Sequence, residues 1–402
     1  ISKKTLSSKW EQSISRKSEL YSQNEDVRSE FARDHTRILH STAYRRLKHK
    51  TQVFFATSND HICTRIEHVN HVASVSDTIA KFLGLNSELV NAIAIGHDLG
   101  HAPFGHHGEA VLNDLAKKDL NDTFWHEKNG LWMVDNIETL PAPDGKEVNL
   151  KLTYAVRDGI ICHCGEVDDI ALFPREKAVN LEDISEVNQH SPFTWEGCVV
   201  KIADKISFIG RDIEDSLNLG ILKKEQLEKF NTILKVESED NATAITNTRL
   251  IHDSIIDLCK NSSPNEGLKF SNEHFDLIKS LKKFSMENIY NHERLKIFKD
   301  YATLVIESIA ESLINLYDGK ETLENIKANE KIYPSLTNTF SEWIIKYSNT
   351  ETTTDSDTVK KSIYKNCQVY DIKQRNHYIH LVISYISGMT DNYAIEVFNE
   401  LI

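Results

Sequence analysis

Imidazole and carboxylate groups are concentrated in one short stretch of the chain, between Ile95 and Glu109. Such groups lose hydration when they are buried and then need polar partners, so core packing does not call for this composition. Neutral imidazoles and carboxylates are, however, the usual nitrogen and oxygen ligands of metal ions. The stretch therefore predicts a metal ion with catalytic groups beside it, in preference to a histidine-rich surface loop. The candidate residues are His97, Asp98, His101, His106, His107 and Glu109.

Two predicted helices position these groups. The mostly apolar run Asn86 to Ile95 is typical of a helix, and Pro103 ends any helix that continues beyond it. A second helix is expected to begin near His106. Residues three apart on a helix share a face, so His106 and Glu109 should lie side by side.

Helices elsewhere in the chain add further candidates. Asp60 to Leu83 is interpreted as a helix that carries Arg65 and His68 on one face. A lone histidine there would more often be a core residue, but a His-Asp pair follows His68 after 29 residues. Glu196 to Leu217 is interpreted as another helix, in which two carboxylates lie among apolar neighbours. Because buried carboxylates without a cation are strongly unfavourable, a metal or another ligand is expected there. The residues that share this face are Asp204, Phe208 and Asp212.

Length and composition indicate a mainly helical protein. The 402 residues can bury a sizeable core, and 7 prolines, 15 glycines and scarce period-two alternation favour helices. Six scattered cysteines indicate reduced thiols and a cytoplasmic location. Cys162-His163-Cys164 is interpreted as buried thiols rather than a metal site. No run is long enough to span a membrane. The net charge of −13 argues against nucleic-acid binding over the whole surface but leaves a local basic pocket open.

The remaining segments carry less chemistry. Arg28 to Lys50 is basic and has two interpretations, a solvated helix face or a lining for polyphosphate, because guanidinium groups fit phosphate oxygens bidentately. Pro141 to Lys146 predicts a loop. From Lys223 to the end of the chain we expect successive helices, interrupted by a polar loop at Asn349 to Thr358.

Five blocks of the sequence, in order, resemble the dGTPase branch of the HD-domain superfamily of metal-dependent phosphohydrolases. His68, His97-Asp98 and Asp204 together give the H…HD…D pattern of that superfamily. A bare HD pair would be weak evidence, whereas five ordered blocks over residues 50–394 are a specific match. The blocks are Lys50–Phe54, Thr64–His68, Gly96–His106, Ala203–Phe208 and Gly388–Ala394.

Composition and resemblance together predict an all-α protein with an HD-domain helical core and an additional C-terminal helical region. We expect an N-terminal helical segment with the basic substrate-lining stretch at residues 1–60, the core at 61–220 and the C-terminal region at 221–402. The activity that the resemblance implies is hydrolysis of deoxynucleoside triphosphates (dNTPs), dGTP among them, to a deoxynucleoside and intact tripolyphosphate.

The resemblance also implies roles for particular residues. One divalent ion, Mn²⁺, Mg²⁺ or Fe²⁺, would be held by His68, His97, Asp98 and Asp204. The catalytic histidine and its carboxylate, with two further imidazoles beside the triphosphate, would be His106, Glu109, His101 and His126. Phosphate contacts would come from Arg65 and Lys205, with Arg46 from the basic stretch. Sugar contacts would come from Gln52, Phe208 and Asp212. Phe208 stands where the family often has tyrosine, so any polar contact of that hydroxyl is lost.

The implied chemistry needs both a metal and a proton carrier. A metal ion polarises a phosphoryl oxygen and lowers the pKa of bound water, and an imidazole aligned by a carboxylate moves protons near neutral pH. Whether His106 activates the water or protonates the leaving oxygen stays open at this point. We also expect a homo-oligomer, a hexamer or a tetramer, with a nucleotide or single-stranded DNA left open as effector, and no membrane partner. The alternatives are another HD phosphohydrolase acting on nucleoside monophosphates, cyclic nucleotides or guanosine tetraphosphate, and a non-catalytic regulator stabilised by its metal.

Overall fold

The computed structural model describes residues 3–402 except 22–25, 55–61, 165–169, 224–225, 227–246, 352–354 and 365–368. Within these ranges the chain is all-α, as predicted, apart from one two-stranded sheet. The helices up to residue 218 are α1 (Lys3–Ile14), α2 (Glu30–His40), α3 (Thr42–Arg46), α4 (Arg65–Leu83), α5 (Ser87–Gly96), α6 (Gly105–Leu120), α7 (His126–Trp132), α8 (Tyr154–Ile161) and α9 (Trp195–Asn218). Those that follow are α10 (Asn247–Asn261), α11 (Asn272–Ser285), α12 (Glu293–Asn315), α13 (Thr322–Ala328), α14 (Pro334–Tyr347), α15 (Asp355–Ile363), α16 (Arg375–Ser387) and α17 (Asp391–Leu401). None of the described helices combines the length and the apolar character needed to cross a membrane.

Helices α4, α5 and α9 pack against one another and form the frame of the core. Local sequence fixes their ends. Thr64 and Glu67 form a capping box at the start of α4, and Gly84 ends that helix in the left-handed conformation with a φ of 71°. Thr194 caps α9 by accepting a hydrogen bond from the Gly197 N–H. Burial of each aliphatic side chain at the contacts contributes about 1.5–3 kcal/mol, so the frame is well determined. These side chains include Val69, Val72, Ile93, Val199 and Ile206.

A second apolar cluster joins α6 to the C-terminal helices. Val111 and Leu112 of α6 are buried in the same cluster as Ile306 of α12, Leu381 of α16 and Val397 of α17. Because α6 begins directly after the His-rich turn, the C-terminal helices support that turn through α6. The three-part division of the chain stays a prediction.

Two elements extend or correct the expected secondary structure. The polar run Asn349 to Thr358 was expected to be a loop, but α15 begins inside it at Asp355. Acidic groups in the first turn suit the helix dipole, and Asp357 is buried in an ion pair of 2.7 Å with Lys327. The predicted loop at Pro141 to Lys146 is present as the turn of a hairpin.

That hairpin pairs β1 (Thr139–Pro141) with β2 (Glu147–Asn149) in antiparallel register, with Leu140 opposite Val148. Strands of three residues are too short to produce a recognisable alternation of apolar and polar residues, so the sequence did not predict them.

Candidate active site

Three segments of the core bring the predicted metal ligands to one point. His68 lies on α4, His97 and Asp98 lie in the turn after α5, and Asp204 lies on α9. Nε2 of His68 is 2.9 Å from Oδ1 of Asp204, and Nε2 of His97 is 3.8 Å from the same oxygen and 3.5 Å from Oδ1 of Asp98. Ligand atoms about 2.0–2.2 Å from one ion lie about 3–3.5 Å apart, so these four residues, the metal quartet, can share a divalent cation.

The hydrogen bonding of His97 fits such a cation. Its Nδ1 lies 2.6 Å from the backbone oxygen of Ala94, which assigns the proton to Nδ1 and leaves Nε2 with a free lone pair. Nε2 is buried and has no hydrogen-bond partner among the residues that the structure describes. Since an unpaired buried nitrogen is unfavourable, a bound metal would satisfy it.

The two carboxylates of the metal quartet are held in the ionised form. Burial alone would raise the pKa of Asp98, but the neighbouring His101, His97 and Arg65 hold that pKa well below its usual range. Nη1 of Arg65 lies 2.8 Å from Oδ2 of Asp98. The pKa of Asp204 is likewise lowered, because its hydrogen bond with His68 and the nearby charges of His68 and His97 together outweigh the effect of burial. Ionised carboxylates are acceptors only, as metal binding requires.

Glu109 joins two imidazoles beside the metal quartet. Its Oε2 lies 3.0 Å from Nδ1 of His126 and 3.4 Å from Nδ1 of His106. Its Oε1 accepts a hydrogen bond of 3.1 Å from the backbone N–H of His126. The structure thus brings the predicted pair of His106 and Glu109 together, but His126 is the closer partner. The His106 side chain is 64% exposed and can exchange protons with solvent.

His101 lies between these groups and the metal quartet. Its ring stacks on that of His126 with centroids 3.8 Å apart, and its Nε2 is 3.0 Å from Oδ1 of Asp98. Burial would lower the pKa of His126, but Glu127 and Glu109 together raise that pKa to about 10. The two carboxylates thus favour the protonated form of His126. We call His101, His106, Glu109 and His126 the catalytic cluster.

The turn that carries His101 needs glycine and an unusual backbone. A Cβ on Gly100 would lie 2.1 Å from the backbone oxygen of His126, so only glycine lets α7 approach this closely. Phe104 has a φ of 64°, a conformation that costs a non-glycine residue about 1–3 kcal/mol. Such strain persists only where surrounding contacts impose it.

The C-terminal helix supplies those contacts. Asp391 at the start of α17 accepts hydrogen bonds from the Phe104 N–H at 2.9 Å and from the Thr51 N–H at 3.0 Å. Buried Lys50 donates to the backbone oxygens of His101 and Ser387. The block Gly388–Ala394 had suggested no role for its individual residues, and these contacts show that it ties the His-rich turn to the segment that precedes Gln52.

One cavity of about 1070 Å³ opens over the metal quartet and the catalytic cluster. Most of the predicted site residues line it, while His97 and Glu109 lie behind those that do. The predicted residues in its wall are Gln52, Arg65, His68, Asp98, His101, His106, His126, Asp204, Phe208 and Asp212.

Two predicted phosphate contacts do not line this cavity. Arg46 forms an ion pair with Glu138 at 2.8 Å, and Lys205 borders a separate small depression with Lys201 and Phe275. No residue from 28 to 50 is part of the cavity wall, because arginines of this stretch bind partners inside the fold. The polyphosphate interpretation of the basic stretch is therefore not supported.

Lysines in the cavity wall come instead from helices that the sequence had left without a role. They are Lys279, Lys282 and Lys283 on α11 and Lys299 on α12. The first three lie at helical spacings of three and four, so a shared face was visible in the sequence. Nothing in the sequence showed that α11 would pack against α9 and place these lysines at the cavity.

Tyr290 is a further residue that the sequence did not single out. Its hydroxyl donates a hydrogen bond to Oδ2 of Asp212 at the cavity wall. Burial raises the pKa of Asp212 to about 7, against the opposing effect of this hydrogen bond. The pair places a carboxyl and a phenol near Gln52 and Phe208, the other predicted sugar contacts.

His163 also lines the cavity, although the sequence favoured an interpretation as part of a thiol segment. It is buried, its ring centroid lies 4.9 Å from that of His97, and its Nδ1 is 2.7 Å from the backbone oxygen of Ile160. Burial and the neighbouring His97 lower the pKa of His163 to about 4, so its imidazole is neutral.

The helical frame, the metal quartet and the adjoining histidines define an HD-domain protein, and a family model of the HD domain matches residues 65–209. The chain is 36% identical over 284 residues to a deoxyguanosinetriphosphate triphosphohydrolase-like protein of Caldanaerobacter subterraneus, covering 71% of this chain and 72% of that protein. A protein of the same description from Clostridium tetani is 35% identical over 317 residues, which cover 77% of this chain and 80% of that protein. Another from Clostridium perfringens is 36% identical over 315 residues, which cover 78% of this chain and 82% of that protein. The chain belongs to this family of deoxyguanosinetriphosphate triphosphohydrolase-like proteins, and its site is that of a metal-dependent phosphohydrolase.

Proposed function

We propose that the chain hydrolyses dNTPs, dGTP among them, to a deoxynucleoside and intact tripolyphosphate. The observation that carries this proposal is a single cavity whose wall combines three residues of the metal quartet, three histidines of the catalytic cluster and four lysines. The relatives, described as deoxyguanosinetriphosphate triphosphohydrolase-like, support the same class of substrate.

The lysine wall would bind the triphosphate. Ammonium groups bind phosphate oxygens as point charges, and four lysines line one cavity in a chain whose net charge is −13. Nζ of Lys299 donates to the backbone oxygen of Tyr290 at 3.0 Å, which holds this ammonium near the sugar end. A substrate with a single phosphate would leave most of these charges unused, so the wall favours a triphosphate over a monophosphate.

Other residues of the cavity wall would bind the sugar. Gln52 and Asp212 offer polar groups for the 3′-hydroxyl, and Phe208 offers an aromatic face beneath the deoxyribose. A ring packed against C2′ leaves no room for a ribose hydroxyl, which would exclude ribonucleotides by sterics.

The metal quartet would hold one divalent ion, Mn²⁺, Mg²⁺ or Fe²⁺. When bound there, such an ion would supply polarisation of a phosphoryl oxygen and a lowered pKa for water near neutral pH. In the reaction, a water molecule attacks the α-phosphorus. Attack forms a bond from the water oxygen to the α-phosphorus and breaks the bond to the 5′-oxygen, which then needs a proton. We assign delivery of that proton to His106, which Glu109 orients and which solvent can recharge. His126, charged and hydrogen-bonded to the same carboxylate, would bind the adjacent phosphate oxygens.

The experiment that tests this function compares products. Purified protein with Mn²⁺ or Mg²⁺ is incubated with each dNTP and each ribonucleotide, and the products are resolved by chromatography. We expect deoxynucleoside and tripolyphosphate from dNTPs, loss of both with Asp98→Ala, and unchanged activity with His252→Ala, which removes an exposed imidazole of α10. Release of monophosphate and pyrophosphate, or hydrolysis of only monophosphates or cyclic nucleotides, would contradict the proposal.

The proposal includes a homo-oligomer, either a hexamer or a tetramer, whose activity a nucleotide or single-stranded DNA would modulate. Light scattering with and without these ligands measures the number of subunits. A monomer in all conditions would contradict the proposed homo-oligomer.

A further inference from the structure

We propose that His163 is a further imidazole ligand of the ion held by the metal quartet, and that this third imidazole makes the centre select Mn²⁺ or Fe²⁺ over Mg²⁺. The inference rests on the metal site in the proposed function. It adds a ligand that lies outside the H…HD…D pattern and follows α8, a helix that supplies no other member of the site.

The position of His163 suits a ligand that binds the ion on the side opposite other ligands. Single ligand atoms of His163, His97 and Asp204 lie within 4.8 Å of one another, and His163 makes a second such group with Asp98 and His126. His163 is thus within reach of three of the four quartet residues. Opposite ligands of a six-coordinate ion, each about 2.1–2.2 Å from it, lie about 4.2–4.4 Å apart.

The ring is also oriented as a metal ligand requires. His163 Nδ1 donates to the backbone oxygen of Ile160 and His97 Nδ1 donates to that of Ala94, in each case three residues earlier at the end of a helix. A hydrogen bond of this kind fixes the tautomer and directs Nε2 towards the metal. Nε2 of His163 has no hydrogen-bond partner among the described residues, although the side chain is buried at the cavity wall.

The neighbouring cysteine does not share this role. Sγ of Cys162 contacts Oδ1 of Asp158 at 3.7 Å and Nη1 of Arg175 at 3.8 Å. Burial raises the pKa of Cys162 well above its ordinary value, so the group is a thiol and not the thiolate that binds metals. Of these two residues, His163 is therefore the one suited to bind the ion.

A third imidazole changes which metals the site prefers. Mg²⁺ favours oxygen ligands and retains its waters, whereas Mn²⁺ and Fe²⁺ accept mixed nitrogen and oxygen sets. With three imidazoles and two carboxylates around one ion, we expect Mn²⁺ to bind well in excess of Mg²⁺ without any nucleotide present.

The test measures metal binding rather than turnover. Protein stripped by a chelator is titrated with Mn²⁺, free Mn²⁺ is followed by electron paramagnetic resonance, and the number of bound imidazole nitrogens is read from spin-echo modulation with ¹⁵N-histidine as reference. We expect one ion per chain with three imidazoles in the natural chain. His163→Ala should give one ion with two imidazoles, an affinity for Mn²⁺ lower by about 10–100-fold, and weaker discrimination against Mg²⁺.

His252→Ala, which removes an exposed imidazole, is the matched control and should match the natural chain. His163→Gln gives a second variant if alanine does not fold, and the nitrogen count of the natural chain needs no variant. Three results would overturn the inference. They are a count of two bound imidazoles in the natural chain, unchanged Mn²⁺ affinity and selectivity in both His163 variants, or a second bound ion that only His163→Ala removes. Metal binding with three imidazoles but no dNTP hydrolysis would refute the proposed function and leave this inference standing.

Discussion

Replacing Glu109 by glutamine tests how the two histidines beside the cavity are held. The change keeps the shape of the side chain and removes the charge that both imidazoles contact. A hydrogen bond to a charged group contributes about 1.5–3 kcal/mol. We assign this value to the contact between His126 Nδ1 and Glu109 Oε2, which is 3.0 Å long. The contact with His106 at 3.4 Å is longer and partly exposed, so we assign it about 0.5–1 kcal/mol. The sum of about 2–4 kcal/mol corresponds to a loss of about 30- to 1000-fold in kcat.

Double-mutant cycles check how this free energy is divided between the contacts of Glu109 with His126 and with His106. Each cycle combines Glu109→Gln with His106→Ala or with His126→Ala, and kcat is measured from deoxyguanosine release at saturating dGTP and Mn²⁺. His106→Ala alone should lower kcat by about 10²–10⁴-fold, as expected for loss of a proton donor. Both cycles should be non-additive, with the larger coupling energy for His126, since that contact is shorter. Glu266→Gln, at an exposed carboxylate, is the control. Additive losses in both cycles, or a larger coupling with His106, would refute the arrangement.

Three further predictions follow from other parts of the site. The Asp98→Ala variant should lose most bound metal and all measurable activity, because the substitution opens the coordination sphere of the ion. Metal analysis and product assays check this prediction, and full metal content in the variant would contradict it. Asp391→Ala removes the acceptor of the buried Phe104 N–H, which costs about 1–3 kcal/mol, and of the half-buried Thr51 N–H. The melting temperature should therefore fall and KM should rise, while metal content is retained. An unchanged KM would show that the contact does not position the segment before Gln52. Asp212→Asn should stabilise the metal-free protein above neutral pH. The folded-state pKa of about 7 lies above the ordinary value of 3.8, so the natural chain loses stability as the pH rises between these values, by at most about 4 kcal/mol. Denaturant unfolding at pH 4 and pH 8 measures this, and an equal difference at both values would contradict it.

The family resemblance implied the set of His68, His97, Asp98 and Asp204, and local features of the sequence agree with it. His68 lies on the buried face of a strongly periodic helix, and His97-Asp98 lies in a glycine-containing turn that ends another. Asp204 lies among apolar neighbours, where a lone carboxylate needs a partner. Each feature is local, and each therefore leaves a signal in the sequence.

Where the structure departs from the sequence predictions, the cause is a contact between distant segments. Arg46 was a candidate phosphate ligand by residue type, but Glu138, 92 residues away, accepts a hydrogen bond from its guanidinium group. The lysines of α11 had no assigned role because their position over the cavity follows from how α11 packs against α9. His163 was given too little weight because its cysteine neighbours suggested thiol chemistry, whereas its position beside His97 depends on the packing of α8 against α5.

The block Gly388–Ala394 shows that a recognisable family sequence need not touch the substrate. None of its residues lines the cavity, yet Asp391 binds the N–H of Phe104, the residue whose left-handed backbone starts α6. That contact offsets the conformational cost of Phe104 and thereby sets the direction in which His106 leaves the turn. The same carboxylate binds the Thr51 N–H, one residue before Gln52. A single buried group thus fixes the spacing between the proposed proton donor and the proposed sugar contact, which is the distance that a dNTP must span between its 5′-oxygen and its 3′-hydroxyl.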